Sequence, residues 1–227
     1  MTRQAFDREL SQLQDDMLTM GSMVEKAMDE AISALLARDV TRAQERIGED
    51  IAINERRFAL EEKCLLLIAT QQPMASDLRV LAAVLDITSN LERLADYAKG
   101  IDKITIMLGD EPLIKPLVDI PIMAAKSVAM LRESMDAFVR HDAEAARKLA
   151  ARDDEIDAYY DQIYHELLGF MLADPRTINQ ATLLLWITHN IERFADRVTN
   201  ICERVIFMVT GEMKELDLSG PTQPSAG

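Results

Sequence analysis

Apolar residues recur every three or four positions along almost the whole chain, which is the spacing of one face of an α-helix. One such stripe is formed by Leu10, Leu13, Met17, Met20 and Val24. No stretch of the sequence shows the sustained alternation that predicts a half-buried strand. The pattern therefore predicts an all-α protein.

Turn-forming residues divide this pattern into six long helices. Gln71-Gln72-Pro73 and Asp174-Pro175 mark two tight turns, and a linker follows Gly109 with Pro112, Pro116 and, in our interpretation, Pro121. The predicted helices are about 4–37, 40–70 and 75–108, a fourth that ends near 140–142, a fifth that ends at 173–175, and 177–212.

The second half of the chain repeats the first. Residues 90–96 read Asn-Leu-Glu-Arg-Leu-Ala-Asp, and residues 190–196 read Asn-Ile-Glu-Arg-Phe-Ala-Asp, at an offset of 100 positions. Upstream of the hairpin turns the offset is 103, so that Asp50 matches Asp153. We therefore expect two pseudo-repeated three-helix bundles in tandem, with six long antiparallel helices.

The repeat also predicts the domain boundaries. The first bundle is expected over 1–110 and the second over 111–213. The tail at 214–227 is poor in apolar residues, so we expect it to be disordered.

Composition narrows the classes of protein that fit. The formal net charge is −14, which argues against a nucleic-acid-binding surface and favours cations or basic partners. The two cysteines, Cys64 and Cys202, lie in different halves without a CxxC motif, so we expect buried, reduced thiols. No signal core or membrane-spanning run is visible, and the sequence predicts a cytoplasmic protein.

Each copy of the repeated motif carries two carboxylates four residues apart, Glu92 and Asp96 and then Glu192 and Asp196. Positions four apart share one helix face, where like charges cost a few tenths of a kcal/mol. Because this cost is carried in two separate helices, a cation is expected to offset it.

A second pair of oxygen-bearing side chains precedes each of these motifs, Asp50 and Asn54 in the first half and Asp153 and Asp157 in the second. Each pair lies as far before its hairpin turn as the matching acids lie after it. Antiparallel helices rise equally, so the two pairs of each half should lie level and converge. Oxygen ligands select hard cations, and His189 could join the second site.

A plainer interpretation of these acids is a solvated helix face. Arg93 and Arg193 could each pair with the aspartate three residues later, Asp96 or Asp196. The duplicated, level arrangement makes the metal hypothesis the stronger of the two.

The repeated motif resembles the PhoU family of phosphate uptake regulators, also called phosphate-specific transport system accessory proteins. Family proteins carry two copies of an Asn-Leu-Glu-Arg-x-x-Asp type motif, as at 90–96 and 190–196. The segments Phe6-Asp7-x-Glu9-Leu10 and Gln72-Pro73-x-Ala75-x-Asp77-Leu78-Arg79 are similar to the family too. The resemblance covers about residues 3–210.

The resemblance implies a non-enzymatic, dimeric cytoplasmic adaptor that links a phosphate ABC transporter to a sensor histidine kinase and represses the phosphate-starvation response. It also implies divalent or iron-type metal ions, such as Fe, Mn, Mg or Zn, on the acidic helix faces. Asp77 and Arg79 are the candidate partner-binding residues. The candidate metal ligands are Asp50, Asn54, Glu92, Asp96, Asp153, Asp157, Glu192 and Asp196.

Two alternatives remain open from the residues. A metal-dependent all-α hydrolase would need a Glu-Glu-x-x-Glu run, and the sequence around Glu61-Glu62 does not provide it. A scaffold protein without bound metal would keep the adaptor role. Asn54 stands where the second half has Asp157, so the first metal site is expected to be the weaker one.

Overall fold

The computed structural model describes residues 3–213, and within them every regular element is helical. A 3₁₀ turn, Pro175–Thr177, precedes the last helix. The helices are α1 Arg3–Ala37, α2 Val40–Glu49, α3 Ile51–Gln71, α4 Ala75–Leu108, α5 Asp119–Arg140, α6 Ala143–Ala150, α7 Asp153–Ala173 and α8 Ile178–Thr210. The all-α prediction is confirmed, and the predicted tail at 214–227 lies outside the described residues.

Two of the six predicted helices are each broken into two. The predicted helix at 40–70 is interrupted at Asp50 between α2 and α3, and the fifth is interrupted at residues 151–152 between α6 and α7. The short helix α2 packs on α4, and the short helix α6 packs on α8. The assignment of Pro121 to the linker was also wrong. Pro121 lies in the first turn of α5, where the backbone N–H groups have no partner within the helix and proline is tolerated.

The duplication is visible in the turns that precede the two short helices. Arg38 and His141 both have positive φ, at 56° and 52°. In the next residues, the side chains of Asp39 and Asp142 accept hydrogen bonds of 2.9 Å from the backbone N–H groups of Arg42 and Ala145. Each aspartate therefore caps its helix in the same way.

Helices α4 and α8 form the centre of the molecule and run antiparallel. Arg204 of α8 pairs with Asp86 of α4 at 3.3 Å, and Asn190 lies opposite Gly100. A Cβ on Gly100 would come within 2.6 Å of Asn190 Oδ1, so glycine permits the close approach of the two helices. Helices α1 and α5 also pack together, and the two bundles share one continuous core.

The core is built from aliphatic and methionine side chains with few aromatics. Met17, Met20 and Met28 are fully buried, so these side chains contribute to core packing. Cys64 and Cys202 are free and buried, and burial raises the pKa of each thiol to about 12. Within residues 3–213, no helix is both long and apolar enough to cross a membrane.

Candidate functional site

The second half brings its four predicted acids together. Asp153 and Asp157 lie on the first turns of α7, level with Glu192 and Asp196 on α8. Burial, followed by the charges of Asp157, Asp196 and Glu192, raises the pKa of Asp153 to about 7. We call these four residues the second cluster.

Glu192 and Asp157 of the second cluster are also repelled by a neighbouring carboxylate. Burial, followed by the charge of Asp196, raises the pKa of Glu192 to about 7. Burial and then Asp196 also raise the pKa of Asp157. Arg193 compensates part of this charge, because it lies 2.8 Å from Asp196. Arg193 therefore makes the pairing that the plainer interpretation required, but with only one of the four acids.

Two oxygen atoms of the second cluster are buried without a hydrogen-bond partner, Asp153 Oδ1 and Glu192 Oε2. Glu192 Oε2 lies 3.3 Å from His189 Nδ1, which is a close approach without the geometry of a hydrogen bond. A buried carboxylate oxygen that lacks a partner is costly. Orphaned oxygens of this kind fit a hard cation, which takes oxygen ligands.

The first half assembles the equivalent residues around its own cations. Lys99 Nζ lies 2.6 Å from Asp50 Oδ2, and Arg57 lies 3.3 Å from Glu92. Asn54 donates a 3.2 Å hydrogen bond to Asp50 Oδ2. The bond to Asp50 and the charges of Asp96 and Glu92 raise the pKa of Lys99. We call Asp50, Asn54, Glu92 and Asp96 the first cluster.

The cations of the first cluster have no counterpart in the second. At the repeat offsets, Thr199 replaces Lys99 and Tyr160 replaces Arg57. Sequence reasoning found the acids but missed these two cations. The sequence does contain a signal for them. Lys99 and Arg57 are positions at which the two repeats differ, and each lies three residues after a predicted ligand.

Two further charged side chains of the first half, Arg46 and Asp102, lie close to the first cluster. The buried Arg46 and Asp102 pair at 3.2 Å, and burial raises the pKa of Asp102 to about 6 against the pull of Arg46. A cavity of about 190 Å³ opens beside them and is lined by Glu30, Asp50 and Lys99 among others. The repeat has Leu149 and Cys202 at the positions of Arg46 and Asp102, so the bundle does not require these charges.

The metal ligands themselves remain a prediction. Among residues 3–213, no three His, Cys, Asp or Glu side chains are arranged as a ready-made metal site. Mutual repulsion of the acids is expected to hold their oxygen atoms apart, so a cation would have to draw them together.

The predicted partner-binding residues make contacts within the chain. Asp77 is buried, and it accepts hydrogen bonds from both terminal nitrogens of Arg3, one of them at 3.1 Å. Arg79 Nε donates to the carbonyl oxygen of Met208 at 3.4 Å. Both side chains therefore hold helix ends together, and their role toward a partner stays a prediction.

Comparison with known proteins agrees with the duplicated fold. The family model described as the PhoU domain matches the chain twice, over residues 17–105 and 120–205. A protein named "Phosphate-specific transport system accessory protein PhoU homolog" from Clostridium acetobutylicum is 37% identical over 96% of this chain and all of its own length. A protein of the same name from Streptococcus pneumoniae serotype 4 is 36% identical over 95% of this chain and all of its own.

Solved structures show the same relationship. The phosphate transport system regulatory protein PhoU from Streptococcus pneumoniae superimposes with a TM-score of 0.87 at 35% identity, covering 93% of this chain and all of that one. PhoU from Pseudomonas aeruginosa gives a TM-score of 0.85 at 33% identity, covering 91% of this chain and all of that one. Since the family model, the relatives and the solved structures agree along most of the sequence, the chain belongs to the PhoU family.

Proposed function

We propose that this chain is a phosphate-dependent negative regulator of phosphate uptake and of the phosphate-starvation response. The observation that carries the proposal is the match to relatives named as phosphate-specific transport system accessory proteins, at 36–37% identity over 95–96% of this chain. The family model matches each half of the chain once, so the match includes both bundles.

In this proposal the chain is an adaptor and not an enzyme. It connects a phosphate ABC transporter to a sensor histidine kinase in the cytoplasm, and it acts as a homodimer. The acidic helix faces and the net charge of −14 support docking on basic partner surfaces. Light scattering on the purified chain tests the dimer, and a monomeric mass at micromolar concentration would contradict it.

Cations are the proposed ligands of the acidic clusters. Asp153, Asp157, Glu192 and Asp196 would hold a divalent or iron-type ion, because their carboxylates repel one another and two of their oxygens are orphaned. A bound ion would supply positive charge beyond that of Arg193, which pairs with Asp196 alone. Asp50, Asn54, Glu92 and Asp96 would hold an ion more weakly, since Lys99 already pairs with Asp50 and Arg57 with Glu92.

The regulatory proposal is tested by deleting the gene in its host and following a phosphate-starvation reporter in phosphate-rich medium. We expect high reporter activity in the deletion strain, and restored repression when the gene is supplied on a plasmid. Unchanged repression in the deletion strain, with no second copy of the gene present, would contradict the proposed function. Pull-down of the transporter and the kinase at high and low phosphate then separates the two partners.

A further inference from the structure

Helix α3 has apolar residues on two opposite sides, one inside the molecule and one outside. The inner side consists of four buried side chains, Ile53, Leu60, Cys64 and Leu67. On the other side, Ile51, Phe58 and Leu65 are 63%, 61% and 59% exposed. The Arg57 guanidinium lies 5.5 Å from the centre of the Phe58 ring and leaves most of that side chain exposed. Packing among the described residues therefore does not cover the outer side.

The exposed apolar residues of α3 form a straight stripe. Ile51, Phe58 and Leu65 are seven positions apart, which is close to two helical turns, so the stripe is about 21 Å long. Glu55 and Glu62 are exposed and lie alongside it, each four positions after an apolar member. We use the name α3 outer face for six exposed residues, Ile51, Glu55, Phe58, Glu62, Leu65 and Leu66.

The second half of the chain shows that the fold does not require apolar residues at these positions. Where the first half has Ile51 and Phe58, the repeat has Asp154 and Asp161. Both aspartates are exposed on α7, as their counterparts are on α3. Since contiguous exposed apolar surface marks interaction sites, the difference indicates that the first half has a binding surface here.

The three cations of α3 pair with acids of the neighbouring helices. Arg56 and Lys63 lie 3.5 Å and 2.5 Å from carboxylate oxygens of Asp16 on α1. Arg57 lies 3.3 Å from Glu92 on α4. These cations therefore neutralise acids on the sides of α3 that face α1 and α4.

The charges of the α3 outer face itself are both negative. Within the part of the chain that the structure describes, neither Glu55 nor Glu62 has an ion-pair partner. In paired helices, charged residues beside an apolar seam select the partner by its charge. The α3 outer face would therefore attract a helix that carries Lys or Arg beside its apolar side chains, and it would repel one that carries Asp or Glu.

The same charges disfavour a second copy of α3 as the occupant. In a parallel pair of α3 helices, Glu55 and Glu62 would each lie next to the same residue of the other copy. In an antiparallel pair centred near Phe58, Glu55 would lie next to Glu62 of the other copy. Both arrangements bring like charges together, which is destabilising.

We propose that the α3 outer face binds an amphipathic α-helix of a partner protein, in which apolar side chains recur every seven residues beside Lys or Arg. The apolar side chains would pack against Ile51, Phe58 and Leu65, and the basic ones would pair with Glu55 and Glu62. This inference goes beyond the proposed function, and it uses that function only to expect the helix in a component of phosphate transport or signalling.

The test measures binding of a fluorescently labelled synthetic helix of about 20 residues to the full chain by anisotropy. This Lys peptide has Leu at every seventh position, flanked by Lys, and we expect saturable binding. Ile51→Ser/Phe58→Ser removes two apolar contacts without changing the charge and should raise the Kd at least about tenfold. Leu168→Ser/Leu172→Ser, the matched change of exposed apolar residues on α7, should leave the Kd unchanged.

Reversal of charge provides a second, independent test. Glu55→Lys/Glu62→Lys should raise the Kd of the Lys peptide and lower the Kd of a peptide with Glu in place of Lys. The control Asp154→Lys/Asp161→Lys changes the net charge of the chain by the same amount on α7 and should change the ratio of the two Kd values much less. This control separates attraction at the α3 outer face from general attraction to an acidic protein.

Several results would overturn the proposal. These are no saturable binding of the Lys peptide, equal weakening by the two serine variants, or an equal change of the Kd ratio by the two lysine variants. If Ile51→Ser/Phe58→Ser lowers the mass of the chain in light scattering, a second copy covers this face and the proposal is wrong. Because these measurements use the purified chain, their outcome does not depend on the deletion-strain experiment that tests the proposed function.

Discussion

The first and second clusters occupy equivalent places in the two bundles but balance their charge in different ways. In the first, Lys99 lies 2.6 Å from Asp50, and Arg57 lies 3.3 Å from Glu92. In the second, Thr199 and Tyr160 take the places of these cations, and the pKa values of Asp153 and Glu192 rise to about 7. Duplication has thus produced one cluster that pairs with Lys99 and Arg57, and one in which only Asp196 pairs with an arginine, Arg193. We propose that the second cluster takes up an external cation.

The largest expected effect concerns the buried pair behind the first cluster. Arg46→Leu leaves Asp102 in the core without its partner and should lower the free energy of unfolding by about 3–5 kcal/mol at pH 8. Urea denaturation measures the loss. Arg46→Leu/Asp102→Cys copies the second half and should be within about 1 kcal/mol of the native chain. A double variant as unstable as the single one would show that the halves are not interchangeable here.

The next largest expected effect is a difference between the two clusters in their affinity for a cation. Glu192→Gln/Asp196→Asn removes two carboxylates of the second cluster and should weaken Mn²⁺ binding at least about 100-fold. The matched change Glu92→Gln/Asp96→Asn should weaken total binding less than about tenfold, because the first cluster contributes little. Isothermal titration calorimetry gives both values. Equal losses from the two variants would contradict the asymmetry.

The second cluster should make the stability of the chain depend on pH when chelator is present. The folded pKa of Asp153, about 7, lies above its ordinary value of 3.8, so the native state holds a proton that the unfolded state has released. Stability should therefore fall as pH rises from about 4 to 7. Asp153→Asn should remove this loss and stabilise the chain by about 2 kcal/mol at pH 8, with little effect at pH 4.

The control for this prediction is Asp50→Asn in the first cluster. It removes the partner of Lys99 and should destabilise the chain by about 1 kcal/mol at pH 8. Denaturation curves at pH 4 and pH 8 provide the measurement. Stabilisation by Asp50→Asn would contradict the internal neutralisation of the first cluster.

Much of the fold and of the site's layout could be predicted from the sequence. The repeated motif and the turns at Pro73 and Asp174-Pro175 were enough to predict the duplicated helices and to place each acid pair level with its partner. The break at Asp50 was not predictable from the local pattern, because no proline marks it and the apolar spacing continues across it.

The charge partners were the least predictable part of the site. Lys99 is 49 positions from Asp50, so only the folded bundle brings them together. Asp77 was expected to meet a partner protein, but its side chain is buried and bonded to Arg3, 74 positions away. Helical spacing shows which residues share a face, but it does not show which residue of another helix lies opposite.

The smallest expected effect is a conversion of the first cluster into a copy of the second. Asn54→Asp/Lys99→Thr supplies the second-half residues, adds one carboxylate and removes one internal cation. We expect Mn²⁺ affinity at the first cluster to rise about tenfold, measured in the background of Glu192→Gln/Asp196→Asn. An unchanged affinity would mean that these two positions do not cause the difference.

The most direct test of the central claim is an anomalous difference map from crystals of the chain soaked in Mn²⁺. The account predicts a strong peak between α7 and α8, within coordination distance of Asp153, Asp157, Glu192 and Asp196. It predicts a much weaker peak at the first cluster. Equal peaks at both clusters, or a peak at the first cluster alone, would contradict it.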